Sequence, residues 1–189
     1  MCGVVGPIAA IVMVLAATTQ DPGFRWERDP LSDLGVGPAA LLFNGGVIVG
    51  GLLILPLAFG LRTQLPKGVL ATLGFVILVV GGISLALVGV FTENTPALHV
   101  ISAFGYFLLV PFGLLLLAAV FRDPRRRYFA LGAGILALVS ILGLPVVLTG
   151  VGFGVPELAE ALVLAAWFVG TGWDLVAATR QPRSVPTAA

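Results

Sequence analysis

The sequence predicts an all-α polytopic membrane protein: a compact bundle of six transmembrane helices with both termini in the cytoplasm. Three observations lead there. Apolar residues make up 59% of the chain and charged residues only 10%, with a mean hydropathy of +1.11. Soluble domains carry roughly 25% charged residues, and here too few polar side chains exist to cover a water-facing surface. The apolar residues fall into six runs, none with Lys or Arg in its middle, and most exceed the roughly 20 residues that cross a hydrocarbon core. Finally, the basic residues gather almost entirely at one side of those runs.

The first run, 3–19, has no basic residue ahead of it of the kind a secretory signal carries, so it is read as a retained helix. The second is 38–61, the third 68–91, the fourth 96–121, the fifth 128–150 and the sixth 156–179. Helices are required, because an open sheet would leave backbone groups unpaired in lipid. Pro38, Pro96 and Pro156 each fit the first helical position, where a missing N–H costs nothing. Asn94 or Thr95 is placed to cap the fourth helix, and Glu157 favours the positive end of the sixth.

Alternation of the runs puts Arg62, Lys67, Arg122, Arg125, Arg126, Arg127, Arg180 and Arg183 on one side, and Arg25 and Arg28 on the other. The positive-inside rule then places the richer side, and with it both termini, in the cytoplasm. Residues 1–179 read as one transmembrane domain, and 180–189 as a disordered cytoplasmic tail. Glycines such as Gly46 and Gly50, with Gly81, Gly82, Gly132 and Gly134, suit close helix approach. Cys2 is the single cysteine, which excludes an internal disulfide and cysteine-based metal sites.

This topology collects polar chemistry on the outer side. The first outer loop, DPGFRWERDPLSDLG, carries Ser32 and Asp33 among other charges; the second carries Glu93 and Asn94. His99, the single histidine, follows in the first turn of the fourth helix and shares a stripe with Ser102 and Tyr106 at i, i+3 and i+7. Glu157 and Glu160 are i, i+3 neighbours at the start of the last helix, and Asn44 lies about two turns into the second. Polar groups at membrane depth face a bundle interior or a wet cavity. The expectation is a shallow outer pocket lined by His99, Asn44, Glu160 and Asp33.

Each group also has a plainer reading. His99 can be an interfacial helix-start residue with a hydrogen-bond partner, Glu157 a helix N-terminal charge, and the first-loop charges a solvated, salt-bridged loop. Asp33 can cap a turn or the entry to the second helix. Glu160, one turn deeper, needs a partner to be buried. Asp174 beside Trp173 reads as an interfacial anchor.

No G-x-S-x-G elbow, H-E-x-x-H pair or Walker loop is present. A metal site would need His99 with carboxylates from separate segments; no metal and no cofactor are expected. A serine mechanism would need His99 as base and Ser32 or Ser102 as nucleophile, and one turn along a single helix is rarely an attacking geometry.

The strings DPLSDLG, LFNGGVIVGGLL and GVFTENTPALHVISAFGYF resemble a prokaryotic six-span family catalogued as domain of unknown function 998. The shared pattern is an SDLG-type outer loop (Ser32 to Gly35), Asn44 early in the second helix, a G-x-F segment (Gly89, Phe91) followed by His99, and a glutamate near the start of the last helix, Glu160. Thr92 replaces the usual proline after the phenylalanine, so the turn there is expected to differ. The resemblance implies a multi-pass protein of the prokaryotic plasma membrane. More distantly, the SD-x-G loop and the spacing of His99 and Ala103 are similar to the DRAM, Frag and Sfk membrane proteins, which implies lipid-related roles.

Two function classes follow. One is a membrane protein that binds lipid, senses, or organises the membrane through a polar outer pocket with Asn44, Ser32, Ser102, Tyr106 and Glu157 as ligand-binding groups. The other is an intramembrane hydrolase or transferase acting on a lipid headgroup, with His99 as acid/base and Asp33 or Glu160 orienting it. Membrane lipids are the expected partners, homo-oligomers are allowed, and a net charge of +1 points to no nucleic acid.

Overall fold

The computed structural model describes residues 1–142 and 153–180. Among these the chain is all-α, with no strand. The helices are α1 (Cys2–Gln20), α2 (Ala40–Arg62), α3 (Val69–Val90), α4 (Pro96–Phe107), α5 (Leu109–Val120), α6 (Pro124–Ile141) and α7 (Gly154–Arg180), with a 3-10 turn at Leu31–Gly35. Five segments are long and apolar enough to cross a membrane: α1, α2, α3, α4 with α5 (Pro96–Val120), and α7. Helix α6 begins four residues before the expected fifth span. Asp123 caps it, accepting the Arg125 amide at 2.9 Å, and Pro124 sits in its first turn, so Arg125, Arg126 and Arg127 become helical. Residues 143–152, which carry the rest of that expected span, and the tail after Arg180 lie outside the described residues.

Three local expectations are corrected. The fourth span is not one continuous helix: it breaks at Leu108. Pro111 offers no N–H to the Phe107 carbonyl, and its ring crowds that same group, which interrupts the ladder there. Helix α2 starts at Ala40, two residues after Pro38, because a turn from Gly37 O to Ala40 N intervenes. Thr95 is the residue at the α4 cap position, yet its hydroxyl donates back to Thr92 O at 3.0 Å instead of capping the helix.

The helices close into a ring. Helix α1 packs on α2 and α7, α2 on α3, α3 on α4 and α5, α5 on α6, and α6 on α7. Close approach sets the tightest seam. A Cβ at Gly51 of α2 would lie 2.5 Å from both Ala86 N and Gly82 O of α3, so backbone meets backbone there. Fewer than half of the residues in each of the five spans are buried in the bundle. The outward faces remain apolar: Leu41, Phe59, Val69 and Ile101 are all more than half exposed. Such a surface has a favourable solvent only in lipid.

The two ends differ in charge. At one end Arg126 donates to Gln64 at 2.6 Å, and Arg125 and Arg126 each stand 3.6 Å from Asp174. Asp174 is thus a tie between α6 and α7, while its neighbour Trp173 is exposed. At the other end the 3-10 turn, the α3–α4 loop and the start of α7 meet. Gly154 N donates to Asp29 O at 3.2 Å, and a Cβ at Gly154 would sit 2.6 Å from that oxygen.

Candidate functional site: a slot inside the helix ring

The carboxylate-bearing end opens into an elongated cavity of about 90 Å³ between α1, α2, α3, α4 and α7. Its polar groups are Ser32, His99, Tyr106 and Glu157. The remaining walls are apolar. Helix α7 contributes Glu157, Ala161, Ala165 and Phe168, one stripe at i, i+4, i+8 and i+11. Eleven residues at 1.5 Å each make this stripe about 16 Å long, so the cavity is a narrow slot running along the bundle axis. Its width comes from small residues. Ala161 and Ala165 on α7 face Ala10 on α1, Gly50 on α2 and Ala103 on α4 across the same space.

Helix α4 behaves as its spacing predicts: its buried residues are His99, Ser102 and Tyr106. They do different jobs. His99 Nδ1 lies 2.8 Å from Phe91 O. A carbonyl only accepts, so Nδ1 carries the proton and Nε2 is left as the basic nitrogen. Ser102 turns its hydroxyl to Leu98 O at 2.8 Å, within its own helix, and does not line the slot. That arrangement removes it as a nucleophile for His99.

At the mouth, Glu157 Oε2 accepts the Leu31 amide at 2.6 Å, which pins the 3-10 turn to α7. Ser32 donates to Glu93 Oε1 at 2.5 Å. Asp33 stands beside the same glutamate; burial first, then the shared hydrogen bond and the negative charge of Glu93, push its carboxyl up to about 6. Farther out, the Arg28 guanidinium bonds Asp29 at 2.6 Å and holds that carboxyl below its ordinary range. Asn44 donates to Gly35 O at 2.9 Å, bracing the 3-10 turn against α2, and its Oδ1 is buried without a partner among the described residues. Asp33 supplies no cap to α2, whose preceding residue Ala39 makes no side-chain cap either.

Glu160 is fully buried, and among the described residues neither of its carboxyl oxygens has a hydrogen-bond partner. The expected grouping of His99, Asn44, Glu160 and Asp33 is therefore redistributed. His99 lines the slot with Glu157, Ser32 and Tyr106, while Asp33, Asn44 and Glu160 stand behind or beside it. The small residues that shape the slot were read only as packing groups or not singled out at all. Their signal is the spacing of Ala161 and Ala165 at i+4 and i+8 from Glu157. Among the described residues no three His, Cys, Asp or Glu side chains group in a way that could hold a metal ion.

A family model described as a protein of unknown function (DUF998) matches residues 4–174. The chain belongs to that family. In this DUF998 member the family resemblance seen in the SDLG loop, Asn44, His99 and Glu160 falls on residues that surround one end of the bundle. No curated protein and no solved structure matches the chain, and the more distant likeness to the DRAM, Frag and Sfk proteins is not shown.

Proposed function

We propose that this chain is a six-span protein of the cell membrane, with both termini in the cytoplasm, that holds the hydrocarbon chain of a lipid-like amphiphile in its slot and the head group at the outer mouth. The observation that carries this reading is the shape and lining of the slot: about 90 Å³ spread along about 16 Å, polar at one end and apolar over the rest. That is room for one chain and not for a compact solute. The orientation rests on the arginine-rich end that carries Arg62, Lys67 and Arg122 through Arg127, which the positive-inside rule assigns to the cytoplasm. Lipid binding of this kind suits sensing or membrane organisation.

The test is Ala165→Leu, which puts a larger side chain midway along the slot. Native mass spectrometry of the purified protein is expected to show a retained amphiphile on the wild type and its loss from the variant. Equal occupancy of the two proteins would refute the reading.

One observation favours a second reading. His99 has its Nδ1 proton committed to Phe91 O, so its Nε2 is the basic nitrogen of a group that lines the slot. This is the arrangement of a general base acting on a bound head group, in a hydrolase or transferase. Lipid extracts from cells carrying wild type and His99→Ala decide it: a species that accumulates only in the variant supports catalysis, and identical extracts exclude it.

A further inference from the structure

The amphiphile reading leaves the head group open, and the charges around the slot bear on it. Three carboxyl groups from three elements converge on the mouth: Asp33 from the 3-10 turn, Glu93 from the α3–α4 loop, and Glu157 from α7. Among the described residues no Lys or Arg lines the slot. Arg28, whose charge reaches Asp33, is paired with Asp29. Glu157 uses Oε2 on the Leu31 amide, which leaves Oε1 without a donor among the described residues beside the cavity.

Glu160 supplies an independent observation. Its two oxygens are fully buried and unpartnered among the described residues, and it lies close enough to Glu157 and to Tyr106, both slot-lining, for its charge to act on them. A carboxylate out of water is sustained only with a partner, either a proton or a cation. Among the described residues the chain offers no cation of its own there. Tyr106 adds an aromatic face to the same walls, which attracts an alkylated ammonium. A phosphate placed beside Glu157, with Asp33 and Glu93 next to it, would instead meet repulsion, which selects against anionic heads.

Resting on the amphiphile reading, we infer that the slot takes a single-chain amphiphile with a cationic amine or quaternary ammonium head: the chain lies along Ala161, Ala165 and Phe168, and the head lies between Glu157 and the His99–Tyr106 face. Glu157 makes the direct ion pair. Glu160 sets the field behind it.

Three photolabels test the assignment. Each carries a diazirine on a chain about ten carbons long, a length suited to a slot of about 16 Å; they end in trimethylammonium, hydroxyl or carboxylate. The purified full-length protein is labelled in a non-ionic detergent, and cross-linked peptides are mapped by mass spectrometry. Each probe is compared with itself across wild type, Glu157→Gln and Glu160→Gln, so partition into detergent cancels. The expected result is labelling of the α7 stripe by the ammonium probe, with a half-saturation that depends on both glutamates. Either glutamine variant should raise that value by about tenfold or more, since a buried charge partner has been lost. The hydroxyl probe should label both variants as it labels wild type, which also shows that the slot is intact. Ammonium labelling insensitive to both variants overturns the head-group assignment and leaves the amphiphile reading standing. Absence of slot labelling by all three overturns both.

Discussion

Replacing Glu160 by methionine should make the protein more stable. The side chains are close in length and volume, so the change removes two polar oxygens and keeps the packing. Those oxygens are fully buried and lack partners among the described residues, and a carboxyl group in either protonation state leaves polar atoms unpaired at that position. An unsatisfied buried polar group costs about 1–3 kcal/mol, and Glu160→Met should recover about that amount. For a chain of this size each kcal/mol corresponds to roughly 2–4 °C in Tm, so the expected rise is several degrees. The assay is thermal unfolding of the purified protein in one detergent, followed by tryptophan fluorescence, with wild type and variant stripped of bound lipid in parallel. A fall in Tm would refute the reasoning, because it would mean that Glu160 has a partner that stabilises the fold. A rise in Tm with loss of ammonium-probe labelling would give Glu160 the profile of a functional group, kept at a cost in stability.

Three further outcomes are expected. Gly51→Ala should destabilise by about 1–3 kcal/mol, since its Cβ would lie 2.5 Å from backbone atoms of Ala86 and Gly82, whereas Gly132→Ala, with nothing within 4 Å, should gain up to about 1 kcal/mol of helix propensity; both are read by thermal unfolding. Asp33 titrates near 6 in the folded chain against 3.8 ordinarily, so between these values the folded state holds the extra proton; stability should be highest below the window, decline as pH rises through it, and level off above, and Asp33→Asn should flatten that part of the profile. Cys2, exposed at the start of α1, should resist an impermeant thiol reagent added outside intact cells and react after permeabilisation; labelling from outside would reverse the orientation.

The large features of the fold were legible because each rests on a one-dimensional signal. Span positions follow from runs of apolar residues against a fixed hydrocarbon thickness, and the α4 stripe follows from helical periodicity. His99, Ser102 and Tyr106 are indeed the buried face of α4. Features set by one bond were less legible. Pro111 sits inside an apolar run that hydropathy reads as continuous, yet its missing N–H divides the helix at Leu108. Asp123 and Pro124 start α6 early, although the three arginines that follow read as a loop by composition.

The slot was hidden for a different reason. Small residues in a membrane helix permit two opposite outcomes, and the sequence signal is the same for both. Gly51 and Gly82 let α2 and α3 touch backbone to backbone, so absent side chains become contact. Ala161 and Ala165 face Ala10 and Ala103 across space that no large side chain enters, so absent side chains become a cavity. What separates the cases is whether a third element holds the helices apart. Here the Glu157–Leu31 hydrogen bond and the Gly154–Asp29 contact fix the start of α7 to the 3-10 turn, and that turn is itself braced on α2 by Asn44. The polar residues that stand out in the sequence thus include those that hold the slot open. Some of them therefore serve a ligand indirectly: Asn44 need never touch an amphiphile for its loss to close the mouth.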